Sequence, residues 1–188
     1  VSSSGPLVLL YPEWLPGKHA PRGAIDRLAG LKISANGKDI GWSRNPLDVY
    51  AFHVNVPEAA REVVAEFQFL NPTTENVGRI SVTDKMLNLS FDMASLYPAG
   101  YYVRQIPVQA SVTYPAGWTA YSALRGKMTG ATMTYDPVDY ETLVDSPVFA
   151  GKYSSTVDLG SNVALNMVAD SKAELDAKPE QIAAHKQL

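Results

Sequence analysis

The sequence predicts an all-β protein, a β-sandwich or saddle of antiparallel sheets with about ten short strands and a short C-terminal helical segment. Apolar residues recur with a period of two from residue 7 to about residue 169, as half-buried strands require because alternate side chains leave opposite faces. Gly and Pro number 13 each among 188 residues, favouring many turns over long helices. No segment before Ser171 carries a long helical stripe.

Taken in order, Asn36-Gly37 between Leu31–Ala35 and Ile40–Ser43 is the strongest short hairpin signal. In Val49–Val56, Tyr50, Phe52, Val54 and Val56 share one face, and in Val63–Leu70 so do Val63, Ala65, Phe67 and Phe69. Leu87, Leu89 and Phe91 repeat the pattern. The longest predicted strand carries Ile106, Val108, Ala110, Val112 and Tyr114, with Pro107 at an edge or bulge because proline cannot donate to the ladder. Turns are expected at Asn71-Pro72, Tyr97-Pro98-Ala99-Gly100, Pro115-Ala116-Gly117, Gly126, Gly130 and Asp136-Pro137. Ser171-x-x-Glu174 is a capping-box pattern, and Pro179 suits the first turn of a helix. The expected division is a β-domain over 1–170 and, over 171–188, the start of a helical linker that reaches Leu188 without a closing Gly or Asn.

Hydrophobic residues at 46% can fill one core in a 20.4 kDa chain, and at this size neither metal nor disulfide is needed for folding. The formal charge of −3 without a basic run argues against nucleic acid as a partner. The absence of cysteine removes thiol nucleophiles, Cys-ligated zinc and disulfides while leaving the compartment open. No apolar stretch approaches a membrane span, and Val1-Ser2-Ser3-Ser4-Gly5 does not read as a signal peptide.

Chemistry-bearing motifs are sparse. His19, His53 and His185 lack the helical spacing that holds zinc, so no metal site is predicted. His53 is expected on a solvent face and His185 on an exposed helix. His19 and Arg22 are candidates because they share the loop from Tyr11 to Gly23, dense in Pro and Gly, with Glu13 and Trp14; the competing expectation is a rigid crossover whose Trp14 plugs the core. No Gly-x-Ser-x-Gly elbow or phosphate-cradling glycine motif is present. Asp136, Asp139, Glu141 and Asp145 cluster in sequence and are expected as solvated loop charges. Of the aromatics Tyr97, Tyr101, Tyr102, Tyr114, Trp118 and Tyr121, most are assigned to structure, and Tyr101 and Tyr102 in a Gly-flanked loop are kept as site candidates.

Three long passages carry a resemblance: Leu10 to Gly23 (LYPEWLPGKHAPRG), Ser95 to Gln109 (SLYPAGYYVRQIPVQ) and Tyr140 to Gly151 (YETLVDSPVFAG). With Leu47–His53 and Pro179–His185, they make the chain similar to the N-terminal region of glycyl aminopeptidase-like zinc metallopeptidases. The resemblance implies a β-rich N-terminal domain that shapes the substrate cleft and supports a thermolysin-like catalytic domain. The family's His-Glu-x-x-His helix has no counterpart here, so this chain alone is expected to be inactive, with no catalytic residue, metal ligand or cofactor of its own and zinc belonging to the parent enzyme.

In such enzymes a loop of the β-domain helps hold the substrate's free amine. The corresponding region here, Tyr97–Gln105, makes Tyr101, Tyr102 or Gln105 a rim of the cleft. The implied partners are the missing catalytic domain and, in the parent enzyme, a peptide substrate. A domain cut from its partner should expose an apolar patch and self-associate. Bacterial relatives imply a periplasmic or secreted location, with the cytoplasm as the alternative. Two other functions stay open: a carbohydrate-binding or adhesive sandwich using Trp14, Trp42, Trp118 and exposed tyrosines, and a stand-alone hydrolase using Asp and Glu.

Overall fold

The computed structural model of the chain describes residues 4–15 and 17–187. Val1–Ser3, Pro16 of the Pro-rich loop and Leu188 lie outside the described residues. Strand makes up 43% of the chain and helix 11%, so the fold is all-β. In chain order the strands are β1 (Gly5–Leu10), β2 (Leu28–Ala35), β3 (Lys38–Asp39), β4 (Trp42–Arg44), β5 (Ala51–Val56), β6 (Val63–Phe69), β7 (Met86–Leu89), β8 (Tyr97–Pro98) and β9 (Pro107–Val108). There follow β10 (Ser111–Thr113), β11 (Thr119–Ser122), β12 (Gly126–Thr129), β13 (Thr132–Tyr135), β14 (Val138–Asp139), β15 (Val148–Gly151), β16 (Tyr153–Gly160) and β17 (Val163–Ala169). Two short helices are α1 (Tyr140–Val144) and α2 (Pro179–His185). Strands outnumber the expected ten because several are two-residue pairings too short to leave a periodic signal.

The chain divides into two compact units: unit 1 holds residues 1–71, 90–106 and 139–145, and unit 2 holds the rest. In unit 1 a four-stranded antiparallel sheet, ordered β4-β5-β1-β8, and a three-stranded sheet, ordered β3-β2-β6, share one core. Leu31 and Ile33 of β2 meet Phe52 and Val54 of β5 there, with Tyr11 beside them. The expected period of two holds in β5, where Phe52, Val54 and Val56 are buried and His53 and Asn55 exposed. At Asn36-Gly37 the chain reverses in two residues with Ala35 opposite Lys38. Both turn residues have positive φ, 50° and 72°, matching the right-handed twist of the strands it joins.

Three expectations are corrected. The return strand at Ile40–Ser43 does not form as one piece, because Trp42 crosses to the other sheet, where its ring meets Phe52 edge-on at 5.5 Å and its Nε1 donates to the Leu31 carbonyl at 3.3 Å. The long strand from Ile106 to Tyr114 breaks into β9 and β10, although its alternating face keeps Ile106 and Tyr114 buried. Phe91 does not continue β7 but lies buried in the turn that follows it.

Unit 2 is built from smaller sheets: β10-β13-β12, β11-β15-β7 and the ribbon β16-β17. The buried hydroxyls of Tyr114 and Tyr135 hydrogen-bond each other at 3.1 Å. Burial raises both pKa values, so both phenols remain protonated at neutral pH. Towards the C-terminus the Glu174 carboxylate accepts from the Ser171 N–H at 2.9 Å, one half of the expected capping box, on a 3-10 turn over Ala173–Leu175 that has no side-chain cap. Helix α2 starts at Pro179, where the Gln181 side chain accepts from the Lys178 N–H at 2.9 Å.

Candidate functional site

Unit 1 carries an aromatic and acidic cavity whose walls come from four separated segments. The first is the Pro-rich loop after β1. Tyr11 anchors it, fully buried, its N–H donating to the Tyr50 carbonyl at 2.9 Å and its hydroxyl to the Met93 carbonyl at 3.1 Å. The Glu13 carbonyl accepts from the N–H groups of both Arg22 and Gly23, and Trp14 bridges to Pro21. At Gly23 a Cβ would stand 1.8 Å from the Pro12 carbonyl oxygen, so only glycine closes the loop base this tightly.

Trp14 does not plug the core as one expectation had it; Tyr11 occupies that place, and Trp14 lies 62% exposed along the cavity.

The cavity encloses about 300 Å³. Tyr97 and Tyr140 stand in tilted contact with ring centroids 4.8 Å apart, and together with Trp14 they form aromatic walls. The Tyr140 hydroxyl donates to Ser95 Oγ at 2.7 Å, while Ser95 itself donates to the Phe91 carbonyl at 2.6 Å. Burial drives the Tyr140 and Tyr97 pKa values upward, so neither phenol adds negative charge.

The negative charge comes from Asp92, Glu141 and Asp145. Asp92 is only 8% exposed and accepts from the Ser90 hydroxyl. Glu141 sits in the first turn of α1, a helix capped by Asp139, whose carboxylate accepts from the Thr142 N–H at 2.9 Å and its hydroxyl at 2.7 Å. Those bonds hold the Asp139 carboxyl below its ordinary pKa. The Arg104 guanidinium grips Glu141 through Nε and Nη2, each at 2.7 Å, and lowers the Glu141 pKa in turn. Asp139 and Glu141 stay solvent-accessible as expected, but the expectation of loop charges is corrected for them, since they cap and brace a helix.

The sequence candidates fall in two places. Tyr101 and Tyr102, 60% and 80% exposed, precede a 3-10 turn over Val103–Gln105 whose Val103 lines the cavity, so Tyr101, Tyr102 and Gln105 are on the segment forming one wall. His19 and Arg22 line a separate, open depression with Lys18 and Leu15. The two groups do not meet in one cavity. His53 is exposed and contacts Asn45, and His185 is exposed on α2. Asp92 and Tyr140 escaped sequence reasoning; nothing around Ser90-Phe91-Asp92 signals a site, whereas the run from Asp139 to Asp145 was visible as a cluster. Among the described residues no three His, Asp or Glu side chains are grouped to hold a metal ion, so the residues present do not fit a zinc site. No helix among them is long and apolar enough to cross a membrane.

A cavity of aromatic faces and carboxylates suits a small organic cation, since ring faces and carboxylates both attract ammonium groups. Comparison with known proteins gives a family match and similar solved structures. The family described as the peptidase M61 N-terminal domain matches residues 1–152. An aminopeptidase N family protein from Idiomarina loihiensis, known from its crystal structure, is similar in fold with a TM-score of 0.67 at 15% identity. The similarity covers 86% of this chain and 27% of that one, so the chain spans little more than a quarter of the length of that protein. Comparison with curated protein sequences gave no match.

Proposed function

Because this chain belongs to the peptidase M61 N-terminal domain family, we propose that it is the non-catalytic N-terminal part of a zinc-dependent aminopeptidase, shaping the cleft that receives the peptide N-terminus. The observation that carries this reading is the cavity between Trp14, Tyr97 and Tyr140, with Asp92 and Asp145 on its walls. A peptide's terminal ammonium is a small cation, and the ring faces and carboxylates offer it a favourable field in a partly desolvated place. The space of about 300 Å³ has room for the first residue of a peptide, and a glycyl preference is what the resemblance adds. Zinc and the hydrolytic step belong to the catalytic domain. Tyr101, Tyr102 and Gln105 rim the cleft, and residues 171–188 begin the link to that domain. Apart from it, the domain self-associates through the surface it would otherwise cover, and the enzyme works in the periplasm or outside the cell.

The test is kinetic, in the enzyme encoded by the source gene. Asp92→Asn and Tyr102→Ala should raise KM for glycyl substrates with smaller effects on kcat, because the domain contributes binding rather than chemistry. Unchanged KM in both variants would remove the reading.

A further inference from the structure

The segment carrying Tyr101, Tyr102 and Gln105 is fixed at both ends by backbone hydrogen bonds. The Ala99 N–H donates to the Val8 carbonyl at 2.9 Å, and the Ile106 carbonyl accepts from the Tyr140 N–H at 3.0 Å. Between those anchors, among the described residues, Arg104 makes the only side-chain hydrogen bonds, and both go to Glu141. The two parallel contacts match the planar guanidinium to the planar carboxylate, which makes this a directional tie as well as a charge pair.

Glu141 is also one of three carboxylates lining the cavity. With both its oxygens engaged by Arg104, its charge is matched locally, leaving Asp92 and Asp145 as the unneutralised negative groups on the walls. Arg104 does not itself line the cavity, so it can set the charge presented there without occupying the space. Asp139 lies near enough to add to the raised Arg104 pKa, but its carboxylate is committed to capping α1.

We propose that Arg104 is a positioning residue with two linked effects: it latches residues 101–105 against α1, and through the same hydrogen bonds it keeps Glu141 from contributing its charge to the cavity. This inference rests on the reading of the cavity as a cation site. Arg104 therefore limits how strongly the cavity attracts cations and favours release of a bound ammonium group. It acts through Glu141, without touching the ligand.

The test uses the whole chain and phenethylammonium as the probe, with the neutral isostere 2-phenylethanol as control, followed by NMR at the Trp14 indole and the backbone amides. Arg104→Met should tighten phenethylammonium binding about two- to fivefold, the range of an exposed charge pair, with no effect on the alcohol. Glu141→Gln should remove most of that gain when combined with Arg104→Met. An equal gain in both backgrounds, or weaker binding in Arg104→Met, overturns the charge-matching role. Hydrogen exchange supplies a readout without ligand: the Gln105 and Ile106 amides, bonded to the Tyr102 and Val103 carbonyls, should lose protection several-fold in Arg104→Met. Unchanged protection overturns the latch. If phenethylammonium binds neither wild type nor any variant, the cation-site reading and the charge-matching role both fall, and amide protection decides the latch separately.

Discussion

Units 1 and 2 are nearly equal in length, yet they are stabilised differently. Among the described residues, twelve of the sixteen buried apolar side chains lie in unit 1, centred on Tyr11, Ile33 and Phe52, whereas unit 2 contributes Tyr114, Tyr135, Val148 and Ala150. Unit 1 thus gains chiefly from burial of large side chains between two sheets. Unit 2 relies more on backbone ladders, the Tyr114–Tyr135 pair and close backbone packing at glycines. The cavity walls also belong to the unit with the larger core, which suits a site that must hold its shape.

The strongest challenge to this contrast is truncation of each core. Phe52→Ala should cost about 3–5 kcal/mol, and Val148→Ala about 1–3 kcal/mol despite equal burial, as read by chemical denaturation. Equal costs would break the comparison. Gly151→Ala probes unit 2 more directly, because a Cβ there would lie 2.5 Å from Val168 Cγ1 and 2.9 Å from the Lys85 carbonyl oxygen. A loss of about 1–3 kcal/mol in thermal or chemical unfolding is expected; a neutral outcome would show that the ribbon β16–β17 yields easily.

The smallest effect is acid sensitivity at α1 in unit 1. Both Asp139 and Glu141 have depressed pKa values, through the Thr142 hydrogen bonds and through Arg104 respectively. Their stabilising contribution is complete above the ordinary carboxyl values of about 3.9 and 4.3 and fades as pH falls through the lower values of the folded state. The Thr142 amide should lose exchange protection over that acid range, while the Tyr114–Tyr135 region of unit 2, which holds protonated phenols throughout, stays unaffected.

Much of the architecture was legible because it depends on local rules. The alternating faces of β5 and β6, the Asn36-Gly37 reversal and the Pro179 helix start each follow from a few adjacent residues. The departure of Trp42 to the other sheet was hidden, since it is decided by a ring contact with Phe52 and a bond to Leu31, neither adjacent in sequence. The cavity was legible only in fragments for the same reason: Trp14, Asp92, Tyr97 and Tyr140 converge through tertiary structure. The flagged Tyr101, Tyr102 and Gln105 fell on one wall-forming segment, while the exposure of Trp14 depended on Tyr11 filling the core first.

Strand β6 forms one border of its sheet, paired with β2 alone, and its outer face shows Val64, Glu66 and Gln68 to solvent. An open border of seven residues is a template on which another chain can add. Glu66 stands at its midpoint, so two copies joining antiparallel about their centres would bring like charges face to face. An edge carrying a charge at the point where such a pairing would centre is a poorer template than an apolar edge of the same length.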